Sequence, residues 1–577
     1  MAHIYDDPAA FKDDMVAGYT SAYARYIEQV PDASAVMRRG GARQGKVSVI
    51  IGGGCGHYPA FCGVVGAGFA DGAVIGDIFT SPSAEQAYRA ARALDGGAGV
   101  LFSFGNYAGD VMNFGVAQDR ARAEGTDCRT VLVTDDIASA PAGELTKRRG
   151  IAGGFCVFKI AGAAADRGDS IDEVERLAIK ANDRTRTFGV GFAGCTLPGQ
   201  TERLFTVPDG EMELGLGIHG EPGIESVPRT NATQLARRLL DPLLTERPDG
   251  AGDRVAVILN GLGGTKYEEL FVLWKTVAAV LAEAGLTLVL PEVGELVTSL
   301  DMGGASLTLT WLDEELEELW VAPAETPGFR RGSVADLPRF EPASARADQG
   351  QAAAGTSTAD DASRAAADTV RAALDAMLAT AIEHETELGR IDAVAGDGDH
   401  GTGMVRGLRA ATAAAGDCAG GAGETLDAAG IAFGDRAGGT SGILWGLLLQ
   451  AVGRTVGNTG RPTGNQLAGG IRAGIDDVQR AGKAQVGDKT MLDALVPFTD
   501  AFAAGLDAGT PCAQAWSSAC AVATQAAADT APMTPKVGRA RPLAQRSVGT
   551  PDAGATSMAL CLTAAGPALA TTEGEQR

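Results

Sequence analysis

The sequence predicts an α/β region followed by an all-helical one, and three observations carry that reading. Upstream, short β-rich runs end abruptly in glycine loops and alternate with helical stretches: Lys46 to Gly54 (KVSVIIGGG), Val100 to Asp110 (VLFSFGNYAGD), Thr130 to Asp136 (TVLVTDD) and Val255 to Gly264 (VAVILNGLGG). In α/β folds of this grammar, ligands gather at the carboxyl ends of the strands. Downstream, alanine-rich helical patterning takes over, with Val370, Leu374, Met377, Leu378 and Ala381 on one stripe at three- and four-residue spacing. Between them, Pro338 to Ala367 is small, polar and almost free of large apolar residues, which reads as a linker.

The expected division is therefore an α/β region over residues 1–335, a flexible linker over 336–367 and a helical domain over 368–577. At about 150 residues per structural unit, 577 residues leave room for roughly four units. This splits the first region into two α/β subdomains, with a break expected near 190–250.

Composition narrows the class of partner. Forty-nine Lys and Arg against 72 Asp and Glu leave a net charge of −23, which argues against a nucleic-acid or anionic-lipid footprint. Glycine contributes 80 residues while 45% of the chain is apolar, so many tight loops serving packed elements are expected rather than disorder. The opening MAHIYDDPAAFKDDM lacks the basic and apolar regions of a signal peptide, and no apolar run approaches a membrane span. Nine cysteines without a C-x-x-C pair read as reduced thiols, which places the protein in the cytoplasm.

Only five histidines occur, and His57, His219 and His400 lie in glycine-rich clusters. In Gly52-Gly53-Gly54-Cys55-Gly56-His57 the backbone after a strand can approach a small ligand while His57 supplies a donor or base; a plain tight turn is the alternative. Gly215-Leu216-Gly217-Ile218-His219-Gly220 matches the dinucleotide-binding fingerprint by letter but runs into Glu221-Pro222-Gly223, which cannot open a helix. A histidine held between glycines at a strand end suits a nucleophile, and an incidental histidine on a β-bulge is the alternative. Asp392, Asp397 and Asp399 fall within eight positions of a glycine loop ending in His400-Gly401-Thr402-Gly403. Such hard oxygen donors suit Mg2+ that keeps positions for phosphate oxygens, as against a solvated acidic turn. Gly438-Gly439-Thr440-Ser441-Gly442, Gly487-Asp488-Lys489-Thr490-Met491, Gly538-Arg539 and Pro551-Asp552-Ala553-Gly554 are weak signals singly. Neither a phosphate-binding P-loop nor the protein-kinase motif set is present, so any nucleotide is held differently.

In order and content these motifs resemble the single-chain, ATP-dependent dihydroxyacetone kinase family across essentially the whole chain. The resemblance implies an amino-terminal α/β ketose-binding region and a carboxy-terminal barrel of antiparallel helices that binds ATP. It implies that His219 binds the substrate carbonyl covalently as a hemiaminal, while Asp110 and His57 handle the proton of the accepting hydroxyl. Gly54, Cys55, Gly56 and Gly105 are then expected at the sugar. Two Mg2+ ions would sit on Asp392, Asp397 and Asp399, and the nucleotide among His400, Gly401, Thr402, Gly403, Thr440, Ser441, Met491, Arg539, Asp552, Ala553 and Gly554.

Departures from the family pattern concentrate at the sugar. Cys55 and Tyr58 stand in GGGCGHYP where the family reads GGGSGHEP, and Gly105 and Ala108 in GNYAGD where it reads KNYTGD. Losing a lysine at 105 frees room and removes a donor suited to a three-carbon substrate. With DIFTSPSAEQ and NGLGGTKYEELF, these variants resemble the erythrulose kinase branch, which implies D-erythrulose ahead of its L form and of dihydroxyacetone. A flavin-nucleotide cyclising lyase is the alternative enzyme, and a non-enzymatic regulator the alternative outside catalysis. A linker of about 30 residues spans roughly 30 Å, enough to reach a neighbouring subunit, so a homodimer with exchanged helical domains is expected.

Overall fold

The computed structural model describes residues 4–333, 359–538, 541 and 544–574. The chain divides into two compact units, Met1–Ala345 and Arg346–Arg577. Most of the expected linker, through residue 358, lies outside the described residues, and its last positions, 361–367, are already the first turns of a helix.

The first unit holds two sheets. The first runs β1 (Ile27–Gln29), β2 (Ala35–Arg38), β3 (Ser48–Cys55), β4 (Gly72–Ile78), β5 (Val100–Gly105) and β6 (Cys128–Val133), in the spatial order β1-β2-β4-β3-β5-β6. Strands β4, β3, β5 and β6 are parallel, with β2 and β1 added antiparallel at one edge. The chain leaves β3 to one side for β4 and returns on its other side as β5, so a switch point opens between the carboxyl ends of β3 and β5. The second sheet comprises β7 (Thr185–Ala193), β8 (Glu211–Leu214), β9 (Glu225–Pro228), β10 (Arg254–Gly261), β11 (Thr287–Leu288), β12 (Glu292–Gly294) and β13 (Gly303–Trp311). Its order is β11-β10-β13-β7-β8-β9, with β12 also paired to β10.

Alternation along single strands shows how the layers stack. Val49 and Ile51 of β3 share one core with Ala256 and Ile258 of β10, whereas Ile50 and Val257 face two other cores. The shared core lies between the sheets and contains α4 (Gly154–Arg167) and α5 (Ile171–Asp183), together with α1 (Phe11–Ala22) and α8 (Glu314–Val321). Helices α2 (Ala84–Leu94) and α3 (Ala108–Ala123) cover the outer face of the first sheet. Helices α6 (Ala232–Thr245) and α7 (Tyr267–Glu283) cover that of the second. Helix α4 is buried from Gly154 to Asp166 on every side, as a helix between two sheets must be. Each of its large apolar side chains contributes about 1.5–3 kcal/mol by burial. Its one lysine, Lys159, donates to the Leu319 carbonyl at 2.8 Å, and burial lowers that ammonium to about 7.

The sheet changeover comes at Arg184, between α5 and β7, ahead of the 190–250 region expected from sequence. Strand β7 places Thr185, Thr187, Gly189 and Gly191 at alternate positions, with Phe188, Val190 and Phe192 as its large apolar residues, and Thr187 and Thr185 pair with Thr308 and Thr310 across β13 at 2.7 and 2.9 Å. A buried strand built on threonine ladders carries little of the apolar signal by which strands are read.

The second unit is all helix: α9 (Asp361–Glu383), α10 (Glu385–Asp392), α11 (His400–Asp417), α12 (Ala422–Ala437), α13 (Gly439–Val456), α14 (Gly464–Gly482), α15 (Leu492–Asp507), α16 (Cys512–Asp529), α17 (Ala544–Ser547) and α18 (Ala553–Gly574). Helices α9, α11, α12, α13, α14, α15, α16 and α18 each pack on the next, and α18 closes on α9, forming a barrel around one core. Short connections reverse the chain between neighbours. Glycine serves here in helices as well as in loops. A Cβ at Gly430 would lie 2.8 Å from the Gly446 carbonyl, and one at Gly453 2.7 Å from that of Gly423, so α12 and α13 approach more closely than any side chain permits.

Candidate active site

Within the first unit, the loops after β3 and β5 and the β8–β9 loop converge on one cavity. Its lining includes Gly52, Gly53, Gly54, His57, Gly105, Tyr107, Asp110, Ile218 and His219. The catalytic candidates His57, Asp110 and His219 and the wall residues Gly54 and Gly105 are thus brought together, although 162 residues separate the two histidines. Cys55 and Gly56 do not line it. The Cys55 thiol is buried near Asp77, Lys12 and Cys62, and burial pushes it up to about 12, while the Gly56 carbonyl accepts from the Leu300 amide at 2.8 Å. Cys55 and Gly56, expected at the sugar, are therefore not brought to the cavity wall with Gly54 and His57.

His57 is 2% exposed, its Nδ1 2.7 Å from the Thr298 carbonyl oxygen and its ring stacked on Phe79 at 5.0 Å. A carbonyl only accepts, so Nδ1 carries hydrogen and Nε2 faces the cavity. Burial, with His219 adjacent, lowers His57 to about 3 and keeps it neutral at physiological pH. The His57 Nε2 lies 3.1 Å from the His219 Nε2. His219 is sandwiched edge-on by Tyr107 at 4.8 Å and Phe79 at 5.2 Å, with its Nδ1 3.1 Å from Glu221 Oε1. The His219 backbone N–H donates to Glu221 Oε2 at 3.0 Å. A Cβ at Gly217 would overlap that carboxylate, which is why the turn needs glycine. Glu221 is held well below the usual carboxylate range: burial opposes this, and His219 and Arg149 outweigh it.

Asp110 is buried in the first turn of α3, where the helix dipole favours a carboxylate. Beside it, a Cβ at Gly105 would meet the Gly150 carbonyl and the Tyr107 ring at 3.0 Å each. The space left by the absent lysine is therefore shared with Tyr107, a narrower gain than the sequence implies.

The second unit gathers another set of residues at one end of the barrel. Alternating direction around the barrel sends the amino termini of α11, α13, α15 and α18 to the same end. These bring with them His400 to Gly403, Thr440 and Ser441, Met491, and Asp552 to Gly554. Contacts confirm the convergence: His400 Nε2 is 2.9 Å from Ser557 Oγ, His400 Nδ1 3.5 Å from Ser441 Oγ, and Gly554 packs on Met491. Four helix amino termini at one end favour an anion through their dipoles, although Asp552 Oδ1 caps α18 at Ala555 N–H (2.7 Å) and Thr490 Oγ1 accepts from Leu492 N–H (3.2 Å) at the start of α15. Carboxylate oxygens of Asp392, Asp397 and Asp399 lie within 4.8 Å of one another at the same loop. This all-oxygen donor set fits Mg2+. Burial, with Asp493 and Asp392 nearby, pushes the Asp552 carboxyl up to about 7, so negative charge is in excess here and a cation would relieve it. Arg539 lies outside the described residues.

Sequence reading missed Glu221, Thr298, Tyr107 and Phe79 as partners of the two histidines. Glu221 stands two residues after His219, a spacing that could have flagged it. Thr298 contributes only its backbone, which leaves no signature. Reading also missed that Lys489, at φ +63°, donates to the carbonyls of Met533 and Ser547 at 3.2 and 2.7 Å, tying the 531–547 segment to the Met491 turn.

The Dak1 domain family matches residues 17–328 and the DAK2 domain family residues 394–566. A D-erythrulose kinase of Mycolicibacterium smegmatis is 54% identical, with all of both chains covered. An L-erythrulose kinase of Pectobacterium atrosepticum is 50% identical over 99% of this chain and 97% of its own. Among solved structures, the dihydroxyacetone kinase from C. freundii in complex with AMP-PNP and Mg2+ is similar with a TM-score of 0.53, 28% identity, and 98% and 99% of the two chains covered.

Proposed function

The chain belongs to the dihydroxyacetone kinase family in its fused form, and from that premise we propose that it phosphorylates a terminal hydroxyl of D-erythrulose, giving D-erythrulose 4-phosphate. It is an ATP-dependent phosphotransferase that uses Mg2+. The observation that carries the substrate reading is one cavity presenting an imidazole Nε2 beside a buried carboxylate, with glycine at position 105. Relatives at 54% and 50% identity named for the two erythrulose enantiomers support a four-carbon ketose.

An imidazole nitrogen adds to a carbonyl and not to an alcohol, so His219 selects ketoses chemically while polyols of the same size are refused. Asp110 accepts the proton of the attacking hydroxyl; His57, expected from the resemblance to share in that transfer, is neutral, fixed by Thr298 and aimed at His219, and on this reading passes protons to and from the carbonyl oxygen through Nε2 instead. Asp392, Asp397 and Asp399 would hold Mg2+, and the helix amino termini the nucleotide phosphates; bound there, Mg2+-ATP supplies the phosphoryl group and offsets its charge. ADP release with D-erythrulose, L-erythrulose, dihydroxyacetone and glycerol tests the proposal. D-erythrulose is expected to give the highest kcat/KM and glycerol no turnover above background. Turnover of glycerol comparable to the ketoses would contradict it.

The nine free cysteines support a cytoplasmic setting, and among the described residues no helix is long and apolar enough to cross a membrane. For assembly, a homodimer with exchanged helical units is the reading, since the two substrates bind to different units and must meet for transfer. Mixing inactive His219→Ala and Asp397→Ala chains is expected to restore activity. No recovery, with subunit exchange independently shown, would favour sites built within one chain.

A further inference from the structure

We propose that Glu221 is the positioning residue of the covalent step, fixing the His219 ring so that Nε2 meets the ketose and keeping that ring's positive charge paired before and after the bond forms. The inference rests on the covalent reading above.

It follows from a hydrogen inventory. His57 Nδ1 donates to the Thr298 carbonyl, and His219 Nδ1 faces a carboxylate that accepts only. Both rings therefore direct Nε2 at each other, 3.1 Å apart, and two bare lone pairs cannot face each other at that distance. One proton must lie between them. Of the two rings only that of His219 has a carboxylate against it, Glu221 Oε1 at 3.1 Å, whereas His57 Nδ1 meets a neutral carbonyl, so the proton is assigned to His219 with Glu221 as the partner of its charge. The charges facing this pair are Arg149, whose NH1 lies 3.8 Å from Glu221 Oε2, and Asp136, which holds Arg149 at 2.9 Å. Glu221 and Asp136 offset His219 and Arg149, and Asp110 adds a further carboxylate to the same cavity. The uncharged faces are Tyr107, Phe79 and His57.

Covalent binding then needs no outside acid. The shared proton passes from His219 Nε2 to His57 Nε2, freeing the His219 lone pair. That pair forms the Nε2–C bond as the π pair of the C=O bond moves to oxygen, and the oxygen takes the proton from His57. The net change is one N–H exchanged for one O–H and one C=O π bond for one N–C bond. The ring is cationic at both ends of the step, and Glu221 stays its partner throughout.

Glu221→Gln keeps an acceptor for Nδ1 but leaves His219 and Arg149 sharing the single charge of Asp136. We expect the KM for D-erythrulose to rise about tenfold or more, with kcat within about threefold of wild type. The tetrahedral 13C resonance of carbonyl-labelled ketose should weaken at equal concentration. Glu221→Asp, which restores the charge, should recover part of the lost affinity. A Gln variant with wild-type KM and full tetrahedral signal overturns the role of Glu221, as does an Asp variant no better than Gln. A tetrahedral signal that persists in His219→Ala would instead overturn the covalent reading itself, so the two failures are distinguishable.

Discussion

His219→Ala is expected to raise the ketose KM by roughly 100-fold or more and to erase discrimination against glycerol. A noncovalent pocket must choose between a carbonyl and an alcohol by hydrogen bonds and fit, and adding or losing one small group in such a pocket changes affinity only by about 1–3 kcal/mol. On the proposed reading the wild-type site instead makes a bond that only the carbonyl can make. Removing the imidazole also leaves Glu221 without its nearest cation and His57 Nε2 without its 3.1 Å partner, while the cavity wall of glycines is unaltered. The backbone N–H of residue 219 still reaches Glu221, so the loop keeps its anchor. Steady-state kinetics on D-erythrulose and glycerol checks this. A variant with wild-type KM and selectivity would remove the covalent role.

Asp110→Asn produces the second large effect and a different signature. The amide is close in shape to the carboxylate and sits at the same first turn of α3, so ketose binding should change little. It cannot accept the proton of the attacking hydroxyl, and loss of a general base costs about 10²- to 10⁴-fold in kcat. The expected result is a collapse of kcat with KM near wild type, the mark of an interaction made only in the transition state. An Asn variant that loses affinity but turns over normally at saturation would reassign Asp110 to binding.

The parts of this fold that were legible in sequence are those in which apolar alternation runs into glycine. Strands β3, β5, β6 and β10 all lie within two residues of the runs that announce them; β3, β5 and β10 are buried and end at glycine, while β6 is half-buried and ends at Thr134-Asp135-Asp136. Strand β7 was hidden by its threonines, and with it the true point at which the chain enters the second sheet. Glycines along α12 and α13 looked like turn formers yet serve helix contact, since composition alone does not separate a loop glycine from one removed of Cβ for packing. At the site, His57, Asp110 and His219 were visible because their glycine settings are unusual for core residues. Cys55 and Gly56 stand in the same glycine motif, yet the structure does not bring them to the cavity wall with Gly54 and His57, and motif membership alone does not show this. Glu221 was passed over as part of a helix-breaking tripeptide, and the backbone carbonyl of Thr298 could not be foreseen from any side chain.

The central claim is that this kinase chooses its substrate by bonding to the carbonyl through His219. The most direct measurement is the 13C NMR spectrum of D-erythrulose labelled at the carbonyl carbon, mixed with stoichiometric wild-type protein without nucleotide. The account predicts that the bound fraction moves from the carbonyl region to that of a tetrahedral carbon, and that His219→Ala leaves it unmoved. A bound ketose whose carbonyl resonance stays in place, in protein that turns the same ketose over, would contradict it.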